Sequence, residues 1–171
     1  FIYITIRNKI FRFIWFDNYI SFLTDGAFWN TISISLIYAF VTVTGELILG
    51  LGIALLLVRP TRLNNAVSIM LLLPLMTAPA LAALMWKLMT NPNFGILSYL
   101  VSLFGFTDFR WASDPSTALL TVVLVDVWVY TPFIMILLLA GLRSLPKQPF
   151  EAAALDGVPR FFVFFRITLP M

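Results

Sequence analysis

Three apolar runs dominate the chain, approximately Asn30 to Val58, Val67 to Leu88 and Thr117 to Leu142, with short polar or turn-forming stretches between them. A helix needs about 20 mostly apolar residues to cross the hydrocarbon layer of a bilayer, so the pattern predicts three spans. Each run also carries residues that are costly in lipid: Glu46 in the first, Pro74 and Pro79 in the second, Asp126 and Pro132 in the third. None of the three reads as a plain anchor, because such residues need partners inside a bundle. Between the first two runs, RPTRLNN contains Pro60, which stops one helix, and Asn64-Asn65, which precede the next. After the second run, TNPNFG (Thr90 to Gly95) is turn chemistry, and the following ILSYLVSLF is too short to span. It predicts a short interfacial helix with Ile96, Leu97, Leu100, Val101, Leu103 and Phe104 facing lipid or protein, and Tyr99 and Trp111 at headgroup depth. Core packing under a loop accounts for the same residues equally well. The opening FIYITI, Phe1 to Ile6, reads as the tail of another helix. A signal peptide does not fit, since Arg7, Lys9 and Arg12 follow the apolar stretch instead of preceding it.

Composition agrees with a membrane location. Of 171 residues, 61% are hydrophobic and 11% charged, against roughly 25% charged in ordinary globular domains. Cysteine and histidine are absent, so there is neither a disulfide framework nor the commonest general base, and no catalytic residue or metal ligand is assigned. The net charge of +3 is scattered, without the basic stripe that follows nucleic-acid phosphates. Nor do the cations orient the chain. Arg59, Arg62, Arg143, Lys147, Arg160 and Arg166 would lie on one side and Arg7, Lys9, Arg12, Lys87 and Arg110 on the other, and six against five decides almost nothing under the positive-inside rule. Lys87, beside Trp86 at the end of a run, is most simply a snorkelling residue.

The intramembrane carboxylates carry the candidate chemistry. Glu46 suits a structural interhelical hydrogen bond. Asp126, close to Trp128, Tyr130 and Thr131, combines polar groups with aromatic faces, which together can hold a polar solute, and these four residues form the candidate substrate path. An ion-coupled carrier or channel using Glu46 and Asp126 is the alternative reading, and a structural membrane subunit is a third. Ala78, Ala80, Ala82 and Ala83 permit close helix contact or leave room for a cavity.

After the third run, Pro146 and Pro149 end one helix and favour a new start, which predicts a short helix from about Pro149 to Leu155. Glu151 falls in its first turn, where the helix dipole favours an anion, and Ala152, Ala153 and Ala154 give helix propensity with little bulk. Gly157 breaks the helix, and Pro159 starts another carrying Phe161, Phe162, Phe164 and Phe165. Asp156 sits at the unfavourable end of the dipole, so it either forms the Asp-Gly turn or serves a partner surface.

The segment EAAALDGVPRFFVFFRITLP, Glu151 to Pro170, resembles the cytoplasmic EAA loop of ABC-importer permeases. It has Glu-Ala-Ala, a Gly six residues after the Glu, an Ile ten residues after that Gly, and a closing Leu-Pro. FDNYISFLTDGAFWNTISIS, LLLPLMTAPALAALMWKLMTNPNFG and LVDVWVYTPFIMILLLAGLRSLP resemble the sugar-type permeases of maltose, trehalose and glycerol-3-phosphate importers, and Val158-Pro159 departs from the small residues usual there. The resemblance implies an all-α membrane protein, a polytopic transmembrane helix bundle of the type I ABC-importer permease kind, incomplete at both ends. It implies one transmembrane permease domain over residues 1–171, with 143–171 as the cytoplasmic coupling loop and following helix. Glu151, Ala152, Ala153, Asp156 and Gly157 would form the ATPase-coupling loop. The implied partners are a second permease subunit, two ABC ATPase subunits, an extracytoplasmic solute-binding protein and membrane lipid, with no nucleic acid. This chain would bind no cofactor of its own, ATP and Mg belonging to the ATPase subunits. The implied location is a bacterial or archaeal plasma membrane.

Overall fold

The computed structural model describes residues 2–4, 11–13, 15–106 and 109–171. The chain separates into two compact units, Phe1–Val41 and Thr42–Met171, with the boundary falling inside a long helix.

In the first unit, strand β1 (Ile2–Ile4) pairs antiparallel with β2 (Phe11–Phe13), placing Tyr3 opposite Arg12. This corrects the helical reading of the opening residues: Ile-Tyr-Ile is strongly strand-forming, and three residues are too few to support a helical turn. Phe1, Thr5, Ile6, Arg7 and Lys9 lie outside the described residues. Helix α1 (Asp17–Thr24) follows, then α2 (Gly26–Leu57). The break between them is held locally, because the Asp25 carboxylate accepts from the Ala27 amide at 2.9 Å and the Trp29 indole N–H donates to the Leu23 carbonyl at 2.8 Å. The hydroxyls of Thr31, Ser33 and Ser35 each donate to the carbonyl four residues earlier, which satisfies them inside an otherwise apolar helix.

The second unit begins with the rest of α2. Thr61 caps α3 (Arg62–Leu71) by accepting from the Asn64 amide, and the Asn64 side chain donates to the Arg59 carbonyl at 2.8 Å. A single turn, α4 (Leu73–Met76), precedes α5 (Pro79–Met89). Then come α6 (Ile96–Leu103) and α7 (Pro115–Ser144), the latter capped at its start by Asp114. Helix α2 and helix α7 are each long and apolar enough to cross a membrane. The second expected span, Val67 to Leu88, is not one straight helix: Arg62–Met76 and Pro79–Met89 meet at 92°. Pro79 forces Ala78 into an extended conformation, with φ −61° and ψ 135°, and so ends the preceding helix. The Pro74 carbonyl accepts from both the Thr77 amide, at 3.2 Å, and the Thr77 hydroxyl, at 2.6 Å.

Helices α2 and α7 pack side by side and run parallel, since Gly45 lies against Val127, Gly50 against Ile134 and Met135, and the end of α2 against Arg143. The buried positions of α2 in this unit, Thr42, Glu46, Gly50, Ala54 and Leu57, recur every three or four residues, so they share one face. Ala54 and Leu57 meet Met135 and Leu139 in the core, flanked by Val67 and Leu71 of α3. Arg143 closes the far end. Its guanidinium donates to the carbonyls of Leu57 and Val58, at 2.9 and 3.3 Å, and to the Asn65 side-chain oxygen at 3.2 Å.

A Cβ on Gly50 would stand 3.0 Å from Ile134 Cγ2 and 3.1 Å from the Met135 amide nitrogen, whereas one on Gly52 meets nothing within 4 Å. Gly50→Ala is therefore expected to destabilise by about 1–3 kcal/mol through overpacking. Gly52→Ala is expected to be neutral or to stabilise by about 0.4–1 kcal/mol. Thermal unfolding of the detergent-solubilised variants checks the opposite signs.

Candidate functional site

Two features lie toward opposite ends of α7. The first is a knob beyond its C-terminus, α8 (Gln148–Leu155), with Pro149 in the first turn and Glu151 exposed beside it. The helix closes in a Schellman arrangement. Gly157, at φ +66°, donates to the Ala154 carbonyl at 3.3 Å, and the Val158 amide donates to the Ala153 carbonyl at 2.9 Å. Asp156 is the C-cap residue, and its carboxylate makes no hydrogen bond among the described residues. Ala153 is buried, at 6% exposure, whereas Leu155 is 89% exposed. Val158-Pro159 leaves this closure intact, because Val158 contributes only its amide, and the Pro159 backbone is extended at ψ 141°. The chain continues through α9 (Arg160–Val163) into a π-helical turn, Phe164–Thr168, with Phe161 and Phe162 exposed and Arg166 lying 6.0 Å over the Phe162 ring.

The second feature is a cavity of about 580 Å³ between α5, the loop after it and the first half of α7. Asp126 lines it from α7, and Trp86 and Lys87 line it from α5. Trp86 packs edge-to-face on Trp128 with ring centroids 5.8 Å apart. The wall also includes Trp111, buried rather than at an exposed interfacial position, with its indole N–H donating to the Ser98 hydroxyl at 3.0 Å and Phe109 packed 4.8 Å away. The Ser98 hydroxyl donates in turn to the Thr90 carbonyl at 3.1 Å. The Thr117 hydroxyl lies within hydrogen-bond reach of both the Arg110 and Trp111 carbonyls and shares its one proton between them, which ties this wall to the start of α7. At the N-cap, hydrogen bonds from the Ser116 hydroxyl, and secondarily from its amide, hold the Asp114 carboxyl below its ordinary range, with a smaller contribution from Arg110. Such a cap is fully engaged above the usual aspartate pKa and is lost as the pH falls through the depressed value.

No family model matches the chain. Curated relatives match nearly all of it. The trehalose/maltose transport system permease protein of Thermococcus litoralis is 35% identical over 159 residues, 93% of this chain and 54% of that protein. The sulfoquinovosyl glycerol transport system permease protein of Agrobacterium fabrum is 31% identical over 94% of this chain and 52% of its own length. The sn-glycerol-3-phosphate transport system permease protein of Shigella flexneri is 34% identical over 94% of this chain and 54% of its own length. The chain is a homologue of ABC sugar-importer permeases. It spans about half the length of the curated relatives it matches. The fold agrees: a crystal structure of a bacterial ABC transporter for alginate import superposes with a TM-score of 0.80 at 22% identity, over 92% of this chain and 56% of that one. The permease relationship and the two long apolar helices make this an all-α membrane protein, with β1 and β2 as a short local exception.

Among the sequence-predicted path residues, Asp126 alone lines the cavity directly, and Trp128 reaches it through Trp86. Tyr130 is exposed one turn farther along α7. Thr131 is buried, and its hydroxyl oxygen has no hydrogen-bond partner among the described residues. Glu46 is buried at 8% exposure on the α2 face that packs on α7. Lys87 and Trp111, which the sequence marks as interfacial residues, belong to the cavity wall. Of the alanines, Ala82 is buried and Ala83 lines the cavity, while Ala78 and Ala80 are exposed. In sequence Arg143 is only a flanking charge, and its clamp on the end of α2 has no local signal.

Gly95 is the residue on which the loop closure depends. A Cβ there would collide with the Met89 carbonyl and the Asn91 backbone. Gly95→Ala should therefore open the Thr90–Ser98 turn and cost about 3 kcal/mol, at the upper end of ordinary single-substitution effects. The expected readout is a lower thermal midpoint together with a shifted Trp111 emission.

Proposed function

We propose that the chain is the permease subunit of an ATP-driven importer for a sugar or sugar-like solute, working in the plasma membrane with α8 on the cytoplasmic side. The carrying observation is the α8 knob: a stiff alanine-rich helix, closed by its own backbone, that presents Leu155 to the surroundings immediately beyond a membrane-length helix. In this reading two ATPase subunits serve the importer and α8 docks on one of them, with Glu151, Ala152 and Asp156 at the contact, Ala153 packing the knob inward and Gly157 setting its shape. A second permease subunit completes the path, and an extracytoplasmic binding protein delivers the solute. Closing of the ATPase pair moves α8 as a rigid body, and α7 carries that motion toward the cavity that Asp126 lines. The chain itself performs no bond chemistry; ATP and Mg are handled by the ATPase subunits. The relatives' names support the solute class: trehalose/maltose, sulfoquinovosyl glycerol and sn-glycerol-3-phosphate.

Gly157 has nothing within 4 Å of a hypothetical Cβ, so a side chain there acts through its positive φ, and proline in addition removes the amide that donates to the Ala154 carbonyl. In the importer reconstituted into liposomes, Gly157→Pro and Glu151→Lys are expected to abolish ATP-driven uptake and ATPase stimulation while membrane insertion stays normal. Gly157→Asn, which tolerates the left-handed conformation, should retain most activity. Normal coupled uptake by both disruptive variants refutes the coupling role. Uptake that collapses with a proton or sodium uncoupler while ATP persists instead selects the ion-coupled use of Glu46 and Asp126.

A further inference from the structure

The cavity beside α7 holds two side chains of opposite charge that do not neutralise one another. Lys87 comes from the last turn of α5 and Asp126 from the middle of α7, and among the described residues neither makes a hydrogen bond or an ion pair. Glu46, on the α2 face that packs on α7, brings a second carboxyl to this seam and not a cation. Much of the remaining wall is apolar or aromatic carbon. Lys87 is exposed on the open side of the cavity, near the polar groups of Thr90 and Asn91 but without an ion pair among the described residues, and a carboxylate, sulfonate or phosphate entering there can pair with it. The aromatic walls are also fixed in advance. Trp86 is held against Trp128, and Trp111 is held by Ser98 and Phe109, so ordering them adds little to the entropy lost on binding. A volume of about 580 Å³ lies within the roughly 300–1,000 Å³ common for small-molecule sites.

We propose that this cavity selects glycosides or polyols bearing one anionic group, with Lys87 holding the anion, Asp126 accepting from hydroxyls, and Trp86 and Trp111 covering the ring faces. Lys87 is then the charge selector of the path, and its place at the end of α5 serves the solute rather than the headgroup region. The inference rests on the importer reading and refines the solute class.

The test uses a sugar pair that differs by one carboxylate, cellobiose and cellobiouronic acid, titrated into the assembled importer without its binding protein and followed by tryptophan fluorescence and calorimetry. The acid is expected to bind about tenfold more tightly than the neutral sugar, the gain of one charge-assisted hydrogen bond. Lys87→Gln should remove that preference, whereas Lys87→Arg should keep it and serves as the folding control. Equal binding of the two sugars by the unaltered importer, no binding of either, or a preference surviving in Lys87→Gln overturns the proposal. The two readings fail separately. Unchanged charge preference in Lys87→Gln alongside normal ATP-driven uptake removes only the role of Lys87, whereas an assembled complex without any ATP-dependent uptake removes the importer reading itself.

Discussion

The close approach of α2 and α7 is the constraint on which the second unit depends. Lipid tails are as apolar as leucine, so two helices gain nothing from leaving lipid for each other except contact area and hydrogen bonds. Gly50 supplies the contact by letting the α2 backbone come against Met135 and Ile134, and Ala54 continues the narrow face one turn on. Met135 is fully buried as a result. Arg143 then completes the seam by donating to the α2 carbonyls that the helix leaves unpaired at its end. Because only Leu145, Pro146 and Lys147 separate α7 from α8, the register of this seam also sets where the knob stands.

Helix α7 is shared between the two candidate functional features. Asp126 and Ser144 are separated by roughly 27 Å of helix at about 1.5 Å per residue, with the cavity toward one end and α8 beyond the other. Pro132 lies between them and removes one backbone hydrogen bond from the helix. In the proposed reading, motion entering at α8 reaches the cavity through a rod with one softened point. The adjacent Thr131 hydroxyl, buried and without a hydrogen-bond partner among the described residues, marks the same level of the helix as incompletely satisfied.

Sequence is informative where the determining signals are local. Pro149, the alanine run and Gly157 lie within nine residues of one another, and α8 forms and ends where they indicate. The Pro79 break is likewise legible as a helix stop, but its 92° turn depends on α4 packing against α7, which no local pattern encodes. The candidate cavity shows the limit more clearly. Asp126, Trp128, Tyr130 and Thr131 group together in sequence because they are neighbours in the chain, whereas the cavity draws Trp86, Lys87 and Trp111 from elements 15 to 40 residues away. Convergence of that kind is set by tertiary packing. The helical reading of the opening residues fails at β1 for a different reason: six residues carry no period long enough to separate helix from strand.

The right-angled break at Thr77–Ala78 has a consequence for how the protein is made. A bent segment exposes backbone carbonyls that lipid cannot satisfy, and α4 finds its packing surface on α7. The ribosome delivers the start of α7 about forty residues later, a delay of roughly 2–8 seconds at about 5–20 residues per second. During biogenesis the elbow must therefore be sheltered by the insertion machinery or lie near the aqueous interface until α7 arrives.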